Sequence, residues 1–477
     1  MKNILQTIIL LAASVSFACC NEAPDNPALP APELLSTVPE NNAENIPVSD
    51  LTVTLTFNQN VICPSAEQKK VSVSGGATIS KIVYDSSKPT ISILINNLDY
   101  ETNYTLTIPA NVIKNPSEVG AKAISLTFTT QKEPKFSETL CTDNPSPEAV
   151  ALYNYLKSIY GKKTLSGAMA SVAWNIDEAE RVYRWTGKYP AINTFDYIHL
   201  WASPANWIDY GNISVVENWR NEGGIVGAMW HWNVPKYEGA PRNVDSNNTF
   251  RTEETTFRTA NATVAGTWEN AVVNADLEKI ADYLLLLKNK NIPVLWRPLH
   301  EAAGNIYAWN GSAWFWWGND GAEAYKNLWR YMFNYFKQKD LNNLIWVFTT
   351  QTDRRTNTSD LPFYPGSEYV DIVGRDSYGN GTEWVVTAAV SAAEFNTIQN
   401  NFPDKMVTLA EMGEVAQIGA QWNAGAHWLW FMPWYDFNAT DETSPDDYKN
   451  MHADKTWWQA AVASEEVITR EEIEINN

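Results

Sequence analysis

The sequence predicts an α/β protein, a (β/α)8 TIM barrel preceded by a small N-terminal all-β sandwich, and three observations carry that expectation. Eight apolar segments of strand character alternate with helical patterns over roughly 320 residues, the count and size of such a barrel with insertions. The first of these strands ends Ser166-Gly-Ala-Met-Ala170, which is not the Gly-rich phosphate loop of the rival doubly wound sheet. Ahead of the barrel, residues 35–131 hold short period-two runs separated by Gly, Pro, Asn and Asp. A chain of 477 residues with a hydrophobic fraction of 44% has room for two domains, one of them large.

Taken in order, residues 1–20 read as a processing segment. Lys2 is its one charge, Ile4 to Ala18 is nearly all apolar or small, and the run is too short to span a bilayer. It ends Phe17-Ala18-Cys19-Cys20, which resembles a bacterial lipoprotein signal whose cysteine becomes the lipidated N-terminus. Either Cys19 or Cys20 fits. The resemblance implies an outer-membrane lipoprotein of a Gram-negative bacterium, at the cell surface or on the periplasmic face, that meets the membrane through its lipid alone. Residues 21–34, rich in Pro, Ala and Asn, read as a tether.

The period-two runs are Leu51–Phe57, Lys70–Ser74, Ile91–Ile95, Tyr104–Ile108 and Ile124–Phe128. The stretch from Val38-Pro39-Glu40 through Ile46-Pro47 to Phe57 resembles bacterial immunoglobulin-like domains. No Trp occurs in it, so a spacer is expected rather than a sugar-binding module. Cys63 and Cys141 form neither a disulfide framework nor a zinc spacing.

The second domain is expected over 140–465. Ser146 suits an N-cap and Pro147 a first helical turn, and Ala149, Leu152, Tyr153, Leu156 and Ile159 form one stripe behind them. The strand candidates are 163–170, 189–196, 224–232, 292–301, 344–351, 369–378, 405–412 and 426–434. The clearest helices between them are 176–186, 275–289, 321–338 and 385–400.

Composition narrows the function. With 35 basic and 55 acidic residues the net charge is −20, which excludes nucleic acid and anionic surfaces as partners of the overall field. The 22 Trp, 21 Tyr and 16 Phe exceed what core packing asks for, and indole faces stack on the C–H faces of sugar rings. Carbohydrate is therefore the expected partner.

Working residues of such barrels sit at the C-terminal strand ends. The fourth strand ends Trp296-Arg-Pro-Leu-His-Glu301, where Arg297 and Glu301 differ by four and so point to the same side of the strand, and an inward Arg is costly unless a carboxylate meets it. Trp309 and Trp314–Trp317 would wall Glu301 with indoles, disfavour its charge and suit it to a general acid. The seventh strand ends Leu409-Ala-Glu411-Met-Gly-Glu414, and Glu411 lies nearer the apolar run. Two such carboxyls are what glycoside hydrolysis needs, and their separation, which decides retention or inversion, is open at this stage. Phe195-Asp-Tyr197, Met229-Trp-His231-Trp-Asn233, Asp376-Ser-Tyr378 and Trp428–Trp434 supply further polar and aromatic groups. A metal site from His231, His300 and a carboxylate lacks a tight ligand spacing, so neither metal nor cofactor is expected.

Trp296-Arg-Pro-Leu-His-Glu301, followed by Trp314-Phe-Trp-Trp-Gly318, resembles glycoside hydrolase family 26, best known for endo-β-1,4-mannanases. The resemblance spans roughly 140–465. It implies a retaining double displacement on a mannan-type polysaccharide, with Glu301 as acid/base and Glu411 as nucleophile. It also implies sugar contacts from His231, Arg297, His300, Trp314, Trp317, Asp376 and Trp434, with Trp430 the lesser candidate for the platform, and a hydrogen bond from Tyr378 to the nucleophile. The family's pattern differs here in one place: Ala302 to Ala313, with Tyr307 and Trp309, intervenes between the acid/base and the tryptophan run. A β-glucanase or xylanase of the same family is the alternative, and a glycan-binding lipoprotein without catalysis is the alternative of another class.

Overall fold

In the computed structural model, the residues described are 30–48, 51–133, 135–171, 174–304, 312–351, 361–379, 385–435 and 450–475. The processing segment with Cys19 and Cys20, and the loop residues Tyr307 and Trp309, lie outside them. Among the described residues no helix is long and apolar enough to cross a membrane. The chain divides into two compact units between Lys132 and Glu133.

The first unit is two four-stranded sheets. One runs in the order 34–38, 51–57, 90–96, 78–84; the other 43–46, 124–130, 103–108, 72–73. Along Leu51–Phe57 and Thr90–Asn96 alternate side chains are buried, so the polar/apolar alternation becomes inside and outside directly. Val53, Leu55, Ile93, Ile95, Leu106 and Phe128 fill the space between the sheets. Tyr104 stacks on Phe128 at 5.5 Å, and its hydroxyl accepts the N–H of Asp99 at 2.7 Å, the way a tyrosine corner pins a sandwich. Thr78–Tyr84 was not legible as a strand: it is an edge strand with no buried residue, so burial imposes no alternation on it.

The second unit is a closed barrel of eight parallel strands: Thr164–Met169, Ile192–Asp196, Ile225–Trp230, Val294–Pro298, Leu344–Thr350, Ile372–Tyr378, Met406–Gly413 and Trp430–Pro433. The eighth pairs with the first through Trp430 and Leu165, which closes the ring. Nearly every strand residue is buried, because the lumen packs one face and the helices pack the other. Ser146 caps the helix Pro147–Ile159 by accepting the N–H of Ala149 at 3.2 Å. The helix expected at 275–289 begins earlier, at Trp268, where Thr267 caps it.

Two local departures shape the barrel mouth. The fourth strand stops at Pro298, which has no N–H for the ladder, and Leu299 and Glu301 follow with φ of 49° and 52°. Glu301 is thus delivered by a tight turn and not by strand alternation. In the seventh strand the register shifts between the pairs Arg375–Leu409 and Asp376–Glu411, a bulge that brings Glu411 level with Asp376.

Candidate active site

The fourth, sixth and seventh strand ends meet at a cluster of buried charge. One carboxyl oxygen from each of Glu301, Asp376 and Glu411 lies within 4.8 Å of the others. Arg297 stands among them. Its Nη1 donates to both oxygens of Asp376, at 3.2 and 3.0 Å, and its Nη2 donates to Glu411 Oε1 and to Met229 Sδ. Tyr378 donates its hydroxyl to Glu411 Oε2 at 2.8 Å, so each Glu411 oxygen has a donor. The guanidinium supplies the positive charge these carboxylates need, with hydrogen bonds to both.

Glu301 is held differently. Gln351, just past the fifth strand, donates its amide N–H to Glu301 Oε1 at 3.0 Å. Burial pushes the Glu301 carboxyl well above its ordinary range, the charges of Asp376 and Glu411 push it further, and Arg297 and Arg375 only partly oppose this. Burial and Glu411 also push Asp376 up, against the pull of Arg297. The cluster therefore retains a proton near neutrality. Arg297 Nη1, which donates to both Asp376 oxygens, favours a charged Asp376, so the proton is placed on Glu301.

Two histidines stand beside the carboxyls. His231 shares a hydrogen bond with Asp196, Nδ1 to Oδ2 at 2.6 Å, and its backbone N–H donates to Oδ1 at 3.0 Å. This fixes the ring and leaves Nε2 for another partner. His300 lies edge-on to His231 at 4.6 Å, with Nε2 3.8 Å from Glu411 Oε1. Burial, then His231 and Arg297, lowers its pKa well below the usual imidazole range, so it stays neutral. Trp434, half-buried, faces His231 at 5.8 Å.

The Trp314–Trp317 run splits by ring. Trp314 is 41% exposed and lies over Gly304, where a Cβ would fall 2.4 Å from its ring. Backbone bonds from Thr252 N–H to the Trp314 carbonyl and from Trp316 N–H to the Phe250 carbonyl zip this loop to the one after the third strand.

Three expectations for sugar contact are corrected. Trp317 has no exposed surface; its indole N–H donates to the His300 carbonyl at 2.8 Å, so it props His300 from behind. The Asp376 side chain is likewise inaccessible and is committed to Arg297. Arg297 spends its donors on Asp376, Glu411 and Met229, and so orients carboxylates instead of reaching a sugar. Nor is Glu301 the carboxylate that Arg297 meets: that pairing assumed a strand continuing past Pro298. Trp430, the lesser platform candidate, packs in a core with Leu165 and Met432. Two residues that matter received no role from sequence. Asp196 ends the second strand at the level of His231, and Gln351 follows Thr349-Thr350 at the end of the fifth; polar residues at strand ends were the available signal.

A barrel mouth with two carboxyl groups this close, one kept protonated and one charged and hydrogen-bonded, defines a glycoside hydrolase. Known proteins agree. The family model for glycosyl hydrolase family 26 matches residues 141–462, and the chain belongs to that family. A model described as a bacterial Ig-like domain matches 30–130. The chain is 34% identical to a mannan endo-1,4-beta-mannosidase of Thermothelomyces thermophilus, over 72% of this chain and 68% of that one. It is 33% identical to mannan endo-1,4-beta-mannosidase B of a Piromyces species, but spans about half (49%) of that protein's length and 63% of its own. Among solved structures, the family 26 domain of an endo-beta-mannanase/endo-beta-glucanase from Prevotella bryantii is 42% identical with a TM-score of 0.64, covering 72% of this chain and all of that one (100%).

Proposed function

We propose that the chain is a retaining endo-β-1,4-mannanase in which Glu411 is the nucleophile and Glu301 the acid/base. The observation that carries this is the pair's geometry: the nearest oxygens of the two carboxyls lie within 4.8 Å, as suits the closely set pair of a retaining enzyme. In the first step a Glu411 oxygen attacks the anomeric carbon, the glycosidic C–O bond breaks, and the Glu301 proton goes to the departing oxygen. In the second, Glu301, now a carboxylate, takes a proton from water as that water attacks the same carbon. The Glu411–sugar bond breaks and Glu411 leaves as a carboxylate. Arg297 and Tyr378 stabilise Glu411 in its charged form at both ends of this cycle. His231, held by Asp196, the exposed ring of Trp314 and the half-buried ring of Trp434 are suited to bind hydroxyls and sugar faces.

Mannan as substrate is supported by the printed activities of the Thermothelomyces and Piromyces relatives. The apolar run ending in Cys19-Cys20 supports a lipid anchor at the outer membrane, with the sandwich as spacer.

The test is product release from galactomannan, mixed-linkage β-glucan and β-1,3-xylan, with the anomer of the first product followed by NMR. A ladder of short β-anomeric oligosaccharides from galactomannan is expected. Cleavage of glucan or xylan alone would replace the substrate, and an α-anomer would overturn the retaining mechanism. For the anchor, metabolic labelling with a fatty-acid analogue in a Gram-negative host should mark the chain and fail in the Cys19→Ser/Cys20→Ser double variant.

A further inference from the structure

Trp207 has the most exposed aromatic ring among the described residues, at 59%. It lies in the loop after the second strand, on the same end of the barrel as Glu301 and Glu411. The loop is built to hold it there. Ala205 and Ile208 exchange backbone hydrogen bonds of 2.7 and 3.2 Å, which pinch Asn206 and Trp207 into the tip of a tight turn. Beneath the indole lie His199, edge-on at 4.8 Å, and Trp201 at 6.5 Å. The His199 N–H donates to the Tyr210 hydroxyl at 3.0 Å, and that hydroxyl donates to the Asp196 carbonyl at 2.9 Å. Asp196 in turn holds His231. Asn233, beyond the third strand, ties in the same loop by donating to the Ile198 carbonyl at 2.8 Å.

A large indole face is thus kept in water on a braced support, joined residue by residue to the histidine beside the catalytic carboxyls. None of the bonds described for the site needs it. Stability alone would favour covering such a ring. Its flat face, with a ring nitrogen at the rim, suits the C–H face of a pyranose. We propose that Trp207, backed by His199 and Trp201, is a distal sugar subsite: it stacks on a ring of the same β-linked chain, several sugars away from the bond that is cut. This rests on the mannanase reading of Glu301 and Glu411. The loop stands beside the strand that carries His231, so the subsite extends the His231 side of the mouth.

The experiment compares kcat/KM for mannotriose and mannohexaose in wild type, Trp207→Ala and Trp207→Phe. On this proposal the trimer falls short of the subsite and the hexamer reaches it. Trp207→Ala should lose roughly tenfold on mannohexaose, mostly in KM, and less than about twofold on mannotriose, while Trp207→Phe regains most of the loss. Equal losses on both substrates, or no loss on either, would overturn the subsite and leave the mannanase reading intact. If wild type cleaves neither oligomer, both readings fall together.

Discussion

Glu301 and Glu411 carry the same side chain within 4.8 Å of one another and are both buried, yet their hydrogen-bonding and charged neighbours differ. Glu411 sits in a strand, steadied by a bulge, with a guanidinium on one oxygen and a phenol on the other. Glu301 sits past the end of its strand in a left-handed turn, with a neutral amide as its described donor and two carboxylates close by. Glu411 faces a cation and two donors, whereas burial and neighbouring carboxylates favour the protonated form of Glu301. The comparison teaches that the division of labour lies in what the neighbouring strands contribute: Arg297 and Gln351 differentiate two otherwise equivalent glutamates.

Removing each glutamate in turn tests this most severely. Glu411→Ala should reduce kcat by roughly 10^5, since no covalent intermediate can form. Glu301→Gln should cost roughly 10^2–10^4 on mannan, where the leaving oxygen needs a proton, and far less for formation of the intermediate from an aryl mannoside whose leaving group needs none. Burst kinetics on the aryl substrate separate the two. A burst in Glu411→Ala, or an equal loss on both substrates in Glu301→Gln, would erase the assigned difference.

Gly413 tests the support of Glu411. A Cβ there would fall 2.3 Å from His452 Nδ1 and 2.7 Å from Tyr378 Cδ1, so Gly413→Ala must displace the ring that donates to Glu411. A fall in kcat of roughly 10–100-fold is expected. In a Tyr378→Phe background, where that bond is already absent, the same substitution should cost much less. Full additivity would show that Gly413 acts by another route.

Stability should move in opposite directions at the two sites. A carboxyl whose folded-state pKa lies above its unfolded value near 4.5 destabilises the fold progressively as pH rises from there towards the folded value. Glu301→Gln removes that penalty, so it should raise stability by about 1–2 kcal/mol near pH 6 and by little near pH 4. Glu411→Gln takes a charge from Arg297 and turns an amide group towards it, which should cost about 1–3 kcal/mol. Thermal unfolding at the two pH values measures both; a loss in Glu301→Gln that grows with pH would reverse the inferred environment.

The barrel was legible because its strands are buried on both faces and so read as apolar runs, and because Trp296-Arg-Pro-Leu-His-Glu301 and Leu409-Ala-Glu411 interrupt those runs with charge. What joins them was not. Arg297 reaches Asp376 and Glu411 across sequence separations of 79 and 114 residues, which no local pattern encodes. The turn after Pro298 and the bulge before Glu411 alter side-chain direction without changing composition. Within Trp314–Trp317, a short 3-10 turn at Trp316–Gly318 breaks any periodicity, so which indole faces out could be learned only from the fold.

Gln351 offers the finest test of the comparison, because its described hydrogen bond goes to Glu301. An N–H donor stabilises a carboxylate more than a carboxylic acid, so its loss should favour the proton on Glu301. The alkaline limb of the kcat/KM profile reports deprotonation of the general acid in the free enzyme. In Gln351→Ala that limb should therefore move to higher pH, by less than about one pH unit, with kcat down a few-fold from looser aim. An alkaline limb that stays in place, or moves to lower pH, would mean that the Gln351 hydrogen bond does not act on the Glu301 proton, and that the two environments are less separate than their hydrogen bonds imply.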